Sequence, residues 1–402
     1  MATEWKKVKL QEICESISDG DHLPPPKAEK GIPFVTISNI KDNQLDFIDT
    51  MFVPETYYEK LDNKRKAKTG DILYSVVGSF GIPVLLKRDE KFVFQRHIAI
   101  LRPNKIESSF LYYTMLGRDF YAKADAAAIG AAQRTVSLTS LRNIEICLPP
   151  LETQQKIAGI LSAYDNLIEN NRKQIKLLEE AAQKLYKEWF VKLNFPGHEN
   201  VKIVDGIPEG WKKGILSDFG DIITGKTPSK KNINFFGNKI QFIKIPDMYK
   251  GVYTINSDEH LSKEGAESQK NKFIPAGSLI VSCIGTAGLV CIAYEKCQTN
   301  QQINSIILIN PSTIYYLYFF IKSKKKYLEA LGSNGATMVN VNKDKFGKIE
   351  VIIPENSIMN SFSNFVAPYF ERIKSLQNQI QLLQSARDKL LPKFMNGEIN
   401  VK

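Results

Sequence analysis

The sequence predicts an α+β protein in which two strand-rich globular units are separated by two long antiparallel coiled-coil helices. Three observations predict this fold class. The sequence contains an internal repeat: Trp5-Lys6-Lys7 reappears as Trp211-Lys212-Lys213, and corresponding motifs then follow about 203 to 207 positions apart. Short apolar runs broken by turn residues fill each copy. A heptad pattern follows each copy and is too long to lie inside a globular unit.

The repeat extends over whole motifs. KTGDILYSVVGSFG returns as IPAGSLIVSCIGTAG, FQRHIAIL as NQQINSIIL, LRNIEICLP as FGKIEVIIP, and QIKLL as QIQLL. Two related units give the molecule pseudo-twofold symmetry. Such a molecule suits a symmetric partner, for example duplex DNA that is read at two half-sites.

Within each copy the pattern is of strands with one helical stretch. Runs such as IPFVTI, DILYSVV, FVFQRHIAIL and IEICL predict strands. A helical stretch is predicted from Ser108 to Ala124, with its mirror from Thr313 to Leu331. The predicted boundaries are 1–150 and 207–354 for the globular units, 151–195 for the central helix, 196–206 for a linker, 355–396 for the last helix and 397–402 for a tail.

Both long helices carry an apolar seam with steps of four and three residues. Prolines precede both seams, and Pro196-Gly197 and Asn396-Gly397 follow them. An exposed seam needs a partner helix, so we expect the two helices to pair antiparallel and to act as a rigid spacer. The predicted seam residues are Ile157, Leu161, Tyr164, Ile168, Asn171, Ile175, Leu178, Leu185, Tyr369, Ile373, Leu376, Ile380, Leu383, Arg387 and Leu390.

One register matches the polar exceptions in the two seams. If the numbers of paired residues sum to 558, Asn171 lies opposite Arg387, and Ala182 lies opposite Leu376. This register predicts that cysteines at Leu178 and Ile380 form a cross-link.

Composition and charge narrow the function classes. Of the 402 residues, 43% are hydrophobic and 24% charged, as in globular proteins. The start of the chain lacks an apolar signal, and the run YYLYFFI is far shorter than the roughly 20 residues of a membrane span, so no membrane partner is expected. Five cysteines without a CxxC pair favour a reducing cytoplasm.

The net charge of +11 is uneven. Residues 1–150 hold 21 basic and 19 acidic side chains, whereas residues 207–354 hold 19 and 12. All 19 basic residues of the second unit are lysines, so it cannot make the bidentate arginine contact to guanine. If it reads bases, Lys, Asn, Gln, Ser or Thr must do so.

Few motifs in the sequence support an enzymatic function. Gly220 to Thr227 satisfies the letters of a phosphate-binding GxxxxGK[ST] loop, yet Pro228 and polar residues follow where a helix should begin. The four histidines show no metal-ligand spacing, and no GxSxG or HExxH motif is present. We therefore expect no catalytic residue, no metal and no cofactor in this chain.

Loops that recur in both copies are better candidates for contact with DNA. Residues 95–97 correspond to 300–302, and the glycine-rich loop 130–137 corresponds to 335–342. Such loops can approach a groove closely and present donors and acceptors to base edges. Together with basic clusters, the candidates are Lys27, Lys64, Arg65, Lys66, Ser79, Arg96, His97, Gln133, Arg134, Lys226, Thr227, Lys230, Lys231, Lys244, Thr286, Gln301, Gln302, Asn334 and Asn340.

The order of these motifs resembles the specificity subunit of type I restriction-modification systems. The resemblance rests on Trp-Lys before a short apolar helix, GDxxPP or GKTPS, GDILxSxxGSxG, QRHIAIL or NQQINSIIL, a glycine-rich loop, and PPLETQQKIAGIL before DNLIENNRKQIKLL. It covers nearly the whole chain. The last helix departs from the family pattern, because PENSIMNSFSNFV lacks the Gln-Gln pair.

The resemblance implies a non-enzymatic subunit with two target recognition domains and the helices as a ruler between them. Double-stranded DNA, two methyltransferase subunits and restriction subunits are the implied partners. S-adenosylmethionine, ATP and Mg are expected in those partner subunits. Because the two copies have diverged, the DNA target should be bipartite and asymmetric. Two alternatives stay open: a coiled-coil adaptor without sequence preference, and a nucleotide-hydrolysing enzyme that uses the segment 220–227.

Overall fold

The chain folds into two compact units, each of which takes sequence from both long helices. The first unit comprises Met1–Leu167 and Leu383–Lys402, and the second comprises Ile168–Leu382. The predicted class, α+β with two related strand-rich units and long helices, is confirmed. The computed structural model describes residues 5–22, 24–41, 43–78, 80–130, 133–333, 339–399 and 401.

A four-stranded antiparallel sheet organises the first unit. Its strands lie in the order Cys14–Asp19, Ile98–Pro103, Ile72–Ser75 and Pro83–Leu85. Successive side chains of a strand point to opposite faces. Ile72 and Tyr74 accordingly join one core cluster while Leu73 joins another, and all three are fully buried. The unbroken apolar runs in the sequence therefore mark strands that are covered on both faces.

Smaller elements complete the first unit. The remaining strands are Lys6–Lys9, Ile32–Val35, Ile40–Lys41, Gln44–Leu45, Met51–Val53, Val93–Phe94 and Glu145–Leu148. The helices of its globular part are Leu10–Ile13, Glu55–Glu59, Ser108–Leu116, Arg118–Ala126 and Leu138–Asn143.

The second unit repeats this sheet and adds one strand. The order is Gly220–Thr224, Ile303–Leu308, Leu279–Ser282, Val290–Ala293 and Tyr253–Thr254. Its other strands are Ile203–Val204, Ile207–Pro208, Lys212–Ile215, Phe236–Gly237, Ile240–Ile243, His260–Leu261, Gln298–Thr299 and Glu350–Ile353. Its short helices are Ile245–Met248, Lys263–Glu267, Ile314–Ser323, Lys325–Gly332 and Lys343–Gly347.

The predicted helical stretch of each unit is two helices. In the first unit Gly117 adopts extended backbone angles (φ −69°, ψ 146°), which end one helix and begin the next. The mirror stretch divides at Lys324 (φ −90°, ψ 9°). Both predicted stretches are therefore helical, and each is broken once, at Gly117 and at Lys324.

The two long helices are Leu151–Tyr186 and Asn356–Met395, and the first continues as a π-helical turn, Lys187–Val191. All the predicted seam residues are at least partly covered. Ile157, Leu161, Ile168, Asn171, Ile373 and Leu376 are buried. Tyr164, Ile175, Leu178, Leu185, Tyr369, Ile380, Leu383, Arg387 and Leu390 are half-buried.

The helices run antiparallel, but the proposed register was wrong. In the second unit Asn171 donates to Gln379 (3.2 Å) and Arg372 donates to Gln174 (3.3 Å). In the first unit Arg387 pairs with Asp165 at 2.6 Å and not with Asn171. The helices are therefore displaced by about one heptad from the predicted pairing, a slip that preserves the apolar seam.

The ends of the long helices pack into the globular cores. Leu391 and Phe394 join the first unit's core with Phe110 and Leu161. Tyr186 and Trp189 join the second unit's core. Among the described residues, no helix combines the length and the apolar character of a membrane span.

Candidate nucleic-acid interface

Three loops that recur in the sequence meet in the first unit. Their described parts are the glycine loop (residues 76–78 and 80–82), the amide loop (95–97) and the distal loop (130 and 133–137). Val76 N–H donates to the carbonyl of His97 (2.9 Å), and Gly78 N–H donates to the carbonyl of Arg134 (3.0 Å). Thr135 forms an isolated bridge with Val77. The fold thereby brings together candidates that are separated by up to about 60 residues in sequence.

The second unit holds its loops by the same backbone bonds. Cys283 N–H donates to the carbonyl of Gln302 (2.8 Å), and Gly285 N–H donates to the carbonyl of Val339 (2.9 Å). Asn340 bridges Ile284, as Thr135 bridges Val77. The glycine loop here spans residues 283–289, the amide loop 300–302, and the described part of the distal loop 339–342.

An amide nitrogen lies over the equivalent glycine in each unit. Gly78 (φ +70°) and Gly285 (φ +79°) adopt left-handed backbone angles that favour glycine. Nε2 of Gln133 lies 3.7 Å from where a Cβ of Gly78 would stand, and Nε2 of Gln302 lies 3.7 Å from the same point at Gly285. Each unit thus brings an amide NH2 group to the same distance from its equivalent glycine, but from a different loop.

A fourth loop (residues 20–22 in the first unit and 225–227 in the second) joins each cluster, and the sequence predicted contacts in it only for the second unit, at Lys226 and Thr227. Lys226 N–H donates to the carbonyl of Thr299 (2.9 Å), and the hydroxyl of Thr227 donates to Oε1 of Gln301 (2.5 Å). In the first unit Asp21 N–H donates to the carbonyl of Phe94 (2.8 Å). The signal was present, because Gly20 and Gly225 recur at the common stagger of the two copies.

Both glycines of this fourth loop are required for close approach. A Cβ on Gly20 would lie 1.9 Å from the carbonyl oxygen of Phe94, and one on Gly225 would lie 2.2 Å from that of Asn300. The fourth loop is therefore pressed directly against the amide loop in both units.

Buried amides support the fourth loop in the second unit. Nε2 of Gln269 donates to the carbonyl of Lys226 (2.8 Å) and to Oε1 of Gln298 (2.7 Å). Gln298, which is fully buried, donates to the carbonyl of Ala266 (2.9 Å). This network contains no ionised group, so it holds Lys226 in place without dependence on salt.

The first unit supports the same loop with charges. Arg65 lies 3.3 Å from Asp21 and 3.7 Å from Asp19, and the hydroxyl of Tyr57 donates to Asp21 (2.9 Å). Burial, and then this bond, raise the pKa of Tyr57. Arg65 was predicted as a DNA contact, and the structure adds that its guanidinium is already engaged.

Several other predicted cations also have partners within the chain. Arg134 pairs with Asp125 and lies over the ring of Phe80, 5.8 Å from its centroid. Lys66 donates to the carbonyl of Glu59 (2.9 Å), and Lys244 pairs with Glu259. Their contact with DNA stays a prediction, but each would first have to leave these partners or reach past them.

The remaining predicted DNA-contact residues fall into two groups by the solvent exposure of their side chains. Lys27, Lys64, Arg96, Gln133, Lys226, Lys230, Lys231, Gln301 and Asn340 are exposed. His97, Thr227, Thr286 and Gln302 are half-buried. Ser79 and Asn334 lie outside the described residues.

The phosphate-loop reading of residues 220–227 is wrong. Gly220–Thr224 is itself a strand, and residues 225–229 after it form no helix. The N–H groups of Gly225 and Lys226 donate to the carbonyls of Ile303 (3.0 Å) and Thr299. A phosphate loop needs such N–H groups free to face the phosphate.

The cysteines behave as small apolar side chains. Burial raises the pKa of Cys14, Cys283, Cys291 and Cys297 to about 12, so these thiols stay protonated at neutral pH. Cys147 is exposed. No group of three potential metal ligands occurs among the described residues.

Comparison with known proteins assigns the chain to a family. Residues 2–180 and 208–383 match the family model described as the type I restriction modification DNA specificity domain. The chain belongs to this family. Its two globular units are the two target recognition domains of a type I specificity subunit.

Specificity subunits from two organisms match this chain over nearly their whole length. The type I restriction enzyme HindI specificity subunit of Haemophilus influenzae is 31% identical and covers 99% of this chain and 100% of its own. The MjaVIII specificity subunit of Methanocaldococcus jannaschii is 30% identical and covers 99% and 96%. A type I S subunit from M. genitalium shares the fold, with a TM-score of 0.57 at 14% identity and coverage of 99% and 97%.

Proposed function

We propose that this specificity subunit recognises an asymmetric bipartite DNA sequence and directs methyltransferase and restriction subunits to it. The observation that carries the proposal is that the two loop clusters share a backbone framework but carry different side chains. The first presents Arg96, His97 and Gln133, and the second presents Thr286, Gln301 and Gln302. Because side chains read base edges, each domain is expected to read its own half-site.

Exposed lysines support a role in holding the DNA backbone. Lys226 lies in the fourth loop of the second domain, and Lys230 and Lys231 follow it closely in sequence. Cations beside base-reading loops bind phosphate and fix the register of the protein on the duplex. The excess of lysine over acidic residues in this domain fits such contacts.

The chemistry belongs to the partners in this proposal. The chain itself is non-catalytic, and two methyltransferase subunits bring S-adenosylmethionine while restriction subunits bring ATP and Mg. The target adenine would be flipped into the methyltransferase while this subunit holds the flanking duplex.

The test is to co-express the chain with the methyltransferase subunit encoded beside it and to map methylated adenines across the host genome. A gapped motif of two unlike parts is expected. A contiguous motif would contradict the two-domain reading. A stable complex that methylates nothing, and that binds DNA in a salt-dependent way without sequence discrimination, would favour the adaptor.

Paired variants assign the half-sites. Gln133→Ala is expected to weaken recognition of one half and Gln301→Ala with Gln302→Ala that of the other. Each variant is the control for its counterpart, since general damage to the complex would affect both halves equally.

A further inference from the structure

The side chain of Gln302 is held by a chain of hydrogen bonds that starts at its own backbone. Gln302 N–H donates to Oδ1 of Asn300 (3.2 Å). Nδ2 of Asn300 in turn donates to Oε1 of Gln302 (2.9 Å). Asn300 is 7% exposed, so water competes little for these bonds.

This chain fixes which end of the Gln302 amide faces outward. A backbone N–H is a donor only, so the atom of Asn300 that it meets must be the carbonyl oxygen. The other end of Asn300 is therefore its NH2 group, and only an oxygen of Gln302 can accept from it. Hydrogen bonding thus settles an amide orientation that atomic shape alone leaves open.

The backbone of Gln302 is fixed as well. Its carbonyl accepts from the N–H groups of Cys283 (2.8 Å) and Ile284 (3.2 Å). Oε1 is turned toward Asn300, so Nε2 is the end that lies over Gly285, and among the described residues no acceptor bonds to it. The half-buried side chain therefore ends in an NH2 group that is oriented before any ligand arrives.

We propose that Asn300 is a positioning residue that makes Gln302 a donor-only reader of DNA. Gln302 then selects a base whose major-groove edge offers an acceptor, such as N7 or O6 of guanine, N7 of adenine or O4 of thymine, and disfavours cytosine, which offers only a donor there. A free glutamine recognises adenine through its donor and its acceptor together, and that pairing is denied here. This inference rests on the proposed function, since it names what the second domain reads.

Asn300→Asp tests the inference through a residue that does not itself read the base. One carboxylate oxygen still accepts from Gln302 N–H, but the other can only accept, so it attracts Nε2 of Gln302. The terminal torsion of glutamine is soft, and the amide turns over. Oε1 then faces outward, and the preference should move toward a base with a major-groove donor, N4 of cytosine or N6 of adenine.

Gln302→Glu is the second variant, and it does not alter the buried Asn300. It also replaces an outward donor with acceptors, so it should shift preference in the same direction at the same base position. The assay is selection from DNA with a randomised second half-site by the assembled complex with the methyltransferase subunit. We expect a change of about tenfold or more at one position, and none in the first half-site.

The outcomes separate this inference from the proposed function. If the wild-type complex selects a gapped motif and both variants keep its base preferences at every position, the inference is overturned and the proposed function stands. If only Gln302→Glu shifts the preference while Asn300→Asp remains folded, Asn300 does not position the amide and the inference fails. If the wild-type complex selects no second half-site, both fall together.

Discussion

Gly225→Ala should damage one half-site and destabilise one unit of the protein. The added Cβ would lie 2.2 Å from the carbonyl oxygen of Asn300 and 2.3 Å from that of Thr299. Ordinary contacts between carbon and oxygen are about 3.3 Å or longer, so the fourth loop must move by about 1 Å. Gly225 does not have a positive φ, so steric contact alone opposes the alanine.

The magnitude follows from the bonds that this movement strains. They are Gly225 N–H to Ile303 O (3.0 Å), Lys226 N–H to Thr299 O (2.9 Å) and Gln269 Nε2 to Lys226 O (2.8 Å). Each contributes about 0.5–1.5 kcal/mol, which gives a loss of about 2–4 kcal/mol in the free energy of unfolding. The Asn300 to Gln302 loop is displaced too, so discrimination at the second half-site should fall.

Chemical denaturation and half-site competition binding check both parts. Gly159→Ala is the matched control, because no atom lies within 4 Å of its added Cβ and the site is helical. This control should stabilise by about 0.5–1 kcal/mol. Gly20→Ala is the mirror variant and should affect the first half-site. The reasoning is refuted if Gly225→Ala unfolds like the wild type and keeps full discrimination.

Three further predictions concern the helices and the thiols. Arg387→Ala breaks the ion pair with Asp165, whose two side chains are only 18% and 17% exposed, so urea unfolding should show a loss of about 1–3 kcal/mol in the free energy of unfolding. The control is Arg372→Ala, on an exposed side chain, which should change that free energy by less than about 0.5 kcal/mol. In a Cys147→Ser background, Asn171→Cys with Gln379→Cys should cross-link and Leu178→Cys with Ile380→Cys should not; the reverse, read by gel shift, would restore the first register. Ellman's reagent at pH 8 should label Cys147 rapidly, and the four buried thiols only after unfolding. Because the pKa of these buried thiols is about 12 in the folded protein and 9.0 ordinarily, the stability of the protein should fall as the pH rises from 9 toward 12.

Recurrence in the two copies made the loop clusters predictable. The amide and distal loops stood out because both copies carry them at one stagger, and the structure brings them together around the glycine loops. Gly20 and Gly225 recur at the same stagger, and Lys226 and Thr227 beside Gly225 were already predicted contacts, although this segment also satisfies the letters of a phosphate-binding loop. A strand that ends in a glycine pressed against a neighbouring carbonyl satisfies those letters equally well.

The ion pairs between distant residues could not be predicted from the sequence. Arg65 meets Asp21, which lies 44 positions away, and only the fold brings them together. The same limit affected the helix register, since an apolar seam repeats every heptad and cannot distinguish alignments that differ by one. The pair formed by Asp165 and Arg387 distinguishes them, and Asp165 lies outside the predicted seam.

The shared helices also have a consequence for synthesis on the ribosome. The first core includes Leu391 and Phe394, so more than 200 residues must be translated after Leu167 before that core can close. At about 5–20 residues per second, the nascent first domain waits about 10–40 s with Ile157 and Leu161 uncovered. The second unit is contiguous, from Ile168 to Leu382, and can therefore complete its fold before its older neighbour.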